Sequence, residues 1–156
     1  MHILLRKLSD QRHLLQLVAV DGRREQVELE TRSVLIHDFL HYAVEAEARL
    51  QDGFWGLLAS GRNLAEMNDR TGEAMQDQSG SLMLIEKVVG AMSGAVKGRS
   101  AAEMMQGFEA YAAAMDEALP PWLDEDLILR VQERMRRLQG HWKATPYGGT
   151  MELEWT

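Results

Sequence analysis

The segment Met151-Glu152-Leu153-Glu154-Trp155 alternates apolar and acidic residues with the period of two that a half-buried strand requires. This feature constrains the fold most, because a lone strand leaves its backbone groups unpaired and an isolated hairpin is only marginally stable. The segment therefore needs a sheet built from elsewhere in the chain. Residues from about 34 to about 139 carry helical spacing. The partner strands must then come from the N-terminal region.

That region reads as strands. Leu15, Leu17 and Ala19 alternate with Leu14, Gln16, Val18 and Val20, a pattern suited to cover on both faces. Asp21-Gly22 gives a tight hairpin turn. Val27 and Leu29 then alternate with Glu28 and Glu30, and Ser9 to Arg12 turns the chain between the first two strands. A meander over about 2–31 follows. C-terminal strands over about 141–155 join it: one at His141 to Thr145, a turn at Pro146-Tyr147-Gly148-Gly149, and the segment already described. The fold class is α+β, a small antiparallel sheet with helices packed on one face.

Between the strands, Ser33 is the expected N-cap of a helix from Val34 to Gln51, stopped by Asp52-Gly53. A short helix at Phe54 to Ser60, a turn at Leu64 to Asn68 and a polar stretch from Thr71 to Ser81 come next. Ile85, Val88, Val89, Met92 and Val96 form an apolar stripe. Ser100 and Glu103 match a capping box ahead of a second stripe, Met104, Met105, Phe108, Tyr111, Ala112 and Met115. Pro120-Pro121 breaks the chain. A last helix spans Leu123 to Gln139, with acids in its first turn, Arg136 and Arg137 in its last, and Gly140 as its stop. With no internal repeat and no low-complexity linker, residues 1–156 are expected to form one domain.

Composition narrows the function. The chain has no cysteine, which excludes disulfides, thiol nucleophiles and iron–sulfur clusters and suits a reducing compartment. The net charge of −7 lacks the footprint of a nucleic-acid binder, and acids offset the cluster Arg134, Arg136 and Arg137. No run approaches the roughly 20 apolar residues of a membrane span. Arg6 and Lys7 interrupt the first apolar run, so no leader peptide is expected. These features predict a cytoplasmic protein.

One stretch carries metal chemistry. In His37-Asp38-Phe39-Leu40-His41, helical rotation of about 100° per residue puts His41 near 40° from His37, Glu45 near 80° and Asp38 near 100°. Two imidazoles and two carboxylates thus share one side of the helix, and histidines at i and i+4 can reach one ion. Without cysteine, a transition-metal site must use nitrogen and oxygen donors, which suits zinc or manganese. The expected ligands are His37, Asp38, His41 and Glu45.

The five residues resemble the zincin metallopeptidase motif, which implies that His37 and His41 bind zinc. Asp38 stands where that family has its catalytic glutamate, and no further histidine of the extended pattern follows. "LIHDFLH" also resembles the histidine–aspartate dyad of the HD-type metal-dependent phosphohydrolases. That resemblance implies an all-helical fold in which His37 and Asp38 both ligate metal, with His2 or His13 as the upstream histidine.

Two further features stand out. Glu47 falls inside the apolar arc of the same helix and needs a partner, either an arginine or a backbone group, unless a shifted pKa gives it a site role. Phe54 and Trp55, flanked by Gly53 and Gly56, either close the end of a core or wall a pocket or partner patch. The expected function is a divalent-metal site of hydrolase-like character on the His37–Glu45 helix. The alternative is a non-catalytic interaction module that assembles with a protein partner or as a homo-oligomer.

Overall fold

A computed structural model describes residues 1–67, 80–93 and 98–156. Four strands form one antiparallel sheet: β1 (His2–Lys7), β2 (Arg12–Val18), β3 (Arg24–Glu30) and β4 (Thr150–Glu154). Their order is β3-β2-β1-β4, so the terminal strand joins the meander beside β1. The register places Met151, Leu5, Leu15 and Val27 in one row, and Leu153, Ile3 and Leu17 in the next. Ile3, Leu5, Leu15, Leu17 and Met151 are all buried, which identifies the face turned to the helices. The opposite face carries polar cross-strand pairs, among them Arg12–Glu28 and Gln16–Gln26.

The expected turns recur. Gly22, after Asp21, takes φ +87°, a left-handed conformation that glycine adopts without steric cost. Glycine also serves at Gly148 (φ +77°) in the turn before β4.

Six helices follow among the described residues. They are α1 (Ile36–Ala48), α2 (Phe54–Ala59), α3 (Leu64–Met67), α4 (Gly80–Met92), α5 (Ala101–Met115) and α6 (Glu125–Ala144). Ser100 and Glu103 form the expected capping box of α5. The α4 stripe holds through Met92. Val96 and most of the polar stretch from Thr71 lie outside the described residues.

Three local expectations are corrected. Ser33 is not an N-cap. It lies in a π-helical turn (Thr31–Leu35) that leads into α1, and the Glu30 carboxylate accepts hydrogen bonds from the backbone amides of Arg32 and Ser33. The helix that follows ends at Ala48, three residues earlier than expected, with Arg49 in the left-handed conformation at φ 56°. The segment His141 to Thr145 is not a strand. It continues α6 past Gly140 to Ala144. A mid-helix glycine costs only about 1 kcal/mol, and tertiary contacts outweigh it. The Lys7 ammonium donates to the carbonyls of Trp142 and Thr145, at 3.2 and 3.0 Å, and the Trp142 ring meets His13 edge-on.

Helix α1 occupies the centre. Eight consecutive residues, Asp38 to Glu45, are buried. It packs against α6, α4 and α2, and its Tyr42 hydroxyl donates to the Glu154 carbonyl of β4 at 2.8 Å. Glu47 is paired as expected, with Arg134 at 2.6 Å and Arg130 at 3.3 Å on α6. One cluster of buried apolar side chains runs from Met1 and Ile3 through the helices to Met151 and Trp155. No helix among the described residues is long and apolar enough to cross a membrane.

Candidate metal centre

The polar side of α1 faces other helices rather than water. His41 is 1% exposed and Glu45 is fully buried, so both need partners inside the fold. Glu45 finds four. Its Oε1 accepts from Phe54 N and pairs with His41 Nδ1, at 2.9 and 3.0 Å, and its Oε2 accepts from Trp55 N and Gly56 N, at 2.9 and 3.3 Å. The carboxylate thus satisfies the first amides of α2, donors that a helix start otherwise leaves orphaned.

The flanking glycines explain the close approach. A Cβ at Gly53 would land on the Glu45 carboxyl group, and one at Gly56 would land on the Gln51 carbonyl. Phe54 and Trp55 belong to the core, at 8% and 2% exposure. They close it rather than offer a partner patch, and the Trp55 indole donates to the Asp38 carbonyl at 3.1 Å.

With His41 Nδ1 held by Glu45, the other ring nitrogen faces α4. His41 Nε2 lies 3.2 Å from Glu86 Oε1. The contact is close enough to act as an ion pair but falls short of strict hydrogen-bond alignment, which leaves Nε2 directed at Glu86 with no better partner among the described residues. His37 Nε2 lies 3.9 Å from Glu86 Oε2, and the two imidazole rings are 4.6 Å apart. One ligand atom from each of His37, His41 and Glu86 falls within 4.8 Å of the others. Ligands of a tetrahedral ion with bonds of about 2.0–2.1 Å sit about 3.4 Å apart, so the three need to draw in by about an ångström.

The electrostatics follow from the carboxylates. Burial works against the charged form of His41, yet the hydrogen bond with Glu45 and the nearby Glu86 carboxylate outweigh it and hold the imidazole up at about 9. Glu86 stays below its ordinary value. Burial opposes this, and His41, then His37, provides the cause.

Of the four expected ligands, the structure brings together His37 and His41. Asp38 is buried but is not one of the convergent three, and Glu45 stands behind His41 instead of beside it. The oxygen donor is Glu86, which sequence reasoning missed. A signal for it exists: Leu82, Ile85 and Val89 bracket Glu86 at helical spacing and are buried. A glutamate on that seam must face something. His2 and His13 lie on β1 and β2, away from these three, and the sheet differs from an all-helical fold. Comparison with family models, curated proteins and solved structures finds nothing similar to this chain.

Proposed function

We propose that the chain is a divalent-metal-binding protein, with His37 Nε2, His41 Nε2 and the Glu86 carboxylate as ligands. The observation that carries this reading is the buried His41 Nε2 directed toward the same space as His37 and Glu86. Glu45 supports it, because a carboxylate on the far nitrogen of a metal-ligating histidine fixes the tautomer and the ring orientation. Two imidazoles and one carboxylate suit zinc, manganese or iron. His37 and Glu86 are 49% and 35% exposed at the side chain, so one side of the site opens to solvent. An ion with three protein ligands keeps a position for water and activates it. The matching reaction class is metal-assisted hydrolysis, and the cysteine-free composition suits the cytoplasm.

A second reading rests on the same two carboxylates. Glu45, His41 and Glu86 form an ion triad that ties α2, α1 and α4 without metal. Calorimetric titration of zinc and manganese into wild type, His37→Ala and Glu86→Gln separates the two. Under the metal reading, wild type binds one of the ions tighter than about 0.1 mM and both variants lose that binding. Without metal, His37→Ala should lower the melting temperature less than Glu86→Gln, since Glu86 pairs closely with buried His41 and His37 meets Glu86 only at 3.9 Å. Absence of such binding in wild type refutes the metal site and leaves the triad as structure.

A further inference from the structure

On the side of α4 turned away from Glu86, α4 and α5 diverge around a cleft of about 420 Å³. Its walls are Leu84 and Val88 from α4, Met104 and Phe108 from α5, and Leu119 and Leu123 from the segment that follows. Small-molecule sites have this character: roughly 300–1,000 Å³, mostly apolar, with a few polar groups that fix orientation. Three charged residues line this cleft, Lys87, Arg99 and Glu117. Lys87 reaches Glu117 only at 3.5 Å, with both side chains about half exposed, a pairing of little strength. The Arg99 guanidinium makes no ion pair within 4 Å among the described residues, although Glu103 lies within its electrostatic reach, and its carbonyl is held by Gln132 at 2.8 Å. Among the described residues the lining itself carries these two cations and one acid, with Glu103 near Arg99 just outside it.

We propose that this cleft binds an aliphatic carboxylate, with the chain between α4 and α5 and the head group between Lys87 and Arg99. The walls combine aliphatic side chains with Met104, Phe108 and Tyr111, an irregular apolar surface that a flexible chain can follow. Lys87 and Arg99 each already lie near one carboxylate, Glu117 and Glu103, so a singly charged head group suits them better than a dianionic phosphate. The site is independent of the proposed metal centre, which lies on the other side of α4.

Three ten-carbon probes test it: decanoate, decanol and decyltrimethylammonium, each titrated calorimetrically below its micelle concentration. Decanoate should bind at least tenfold more tightly than decanol, and the cationic probe should bind most weakly. Arg99→Gln should bring decanoate down to the level of decanol. Glu117→Gln, which frees Lys87, should tighten decanoate. Gly107→Trp should weaken all three probes. Gly107 lines the cleft, and a Cβ there meets nothing within 4 Å. Replacing a mid-helix glycine also favours the helix, so this variant should remain folded, as circular dichroism would verify. Equal binding of decanoate and decanol, or no binding of decanoate tighter than about 1 mM, overturns the proposal. So does a concentration-dependent dimer that Gly107→Trp dissociates, which would assign the cleft to a second copy of the chain.

Discussion

Replacing Glu45 by glutamine keeps the shape of the side chain and removes half of its capacity to accept. The carboxylate serves four donors, two on each oxygen, at a position with no solvent access. A glutamine can serve only the pair on one oxygen and turns an NH2 group toward the other pair. Keeping the His41 and Phe54 bonds leaves Trp55 N and Gly56 N facing a donor. Each buried donor left unsatisfied costs about 1–3 kcal/mol. The Gly56 bond, at 3.3 Å, was the weaker of the two, so the expected total is about 2–4 kcal/mol. For a domain of this size that lowers the melting temperature by about 5–15 °C. The assay is thermal unfolding by far-ultraviolet circular dichroism, with urea unfolding by tryptophan fluorescence as the second probe. A melting temperature within about 2 °C of wild type would refute the claim that Glu45 holds the start of α2.

Gly53→Ala should destabilise the protein by more than about 1 kcal/mol, because the new methyl group displaces the Glu45 carboxyl. In Gly53→Ala/Glu45→Ala the two losses should add to less than their sum, which a double-mutant cycle measures; strict additivity would show that they do not collide. His13 is fully buried, and burial, partly offset by Glu30, lowers its pKa from 6.5 to about 4. Below pH 6.5 the unfolded chain therefore takes up a proton that the folded chain refuses. Stability should fall by about 2 kcal/mol between pH 6.5 and 5, and His13→Leu should flatten that slope; an unchanged slope in the variant counts against it. Deleting residues 150–156 removes β4 and exposes the edge of β1, so the remaining chain should lose its cooperative thermal transition, and a melting temperature equal to wild type would contradict the shared sheet.

The elements legible in the sequence were those whose stability is local or whose pattern has a clear period. The alternation in Met151 to Trp155, the Asp21-Gly22 turn and the Ser100–Glu103 capping box each encode their geometry within a few residues. The extension of α6 through Gly140 was not legible, because what supports it lies on β1, where Lys7 reaches the last carbonyls of the helix. Half of the site was legible in the same sense. The i, i+4 spacing of His37 and His41 is a property of one helix. The roles of Glu45 and Glu86 depend on which elements pack beside α1. A helical wheel shows a polar side but not whether water or another helix will meet it, and for α1 it was other helices.

The position of β4 also bears on how the chain acquires its fold. Ile3 pairs with Leu153, so nearly the whole chain separates the two partners. Closing so long a loop carries an entropy cost that grows only slowly with length, but contacts of this range are made late and slow the search. During synthesis β1, β2 and β3 can pair from nearest-neighbour turns, and α1 can dock on them, while the outer edge of β1 still presents unpaired amides and carbonyls. An open edge of this kind is where chains join one another. The last strand therefore takes over the edge that β1 presents until then, and in the finished sheet β4 and β3 are the two edges.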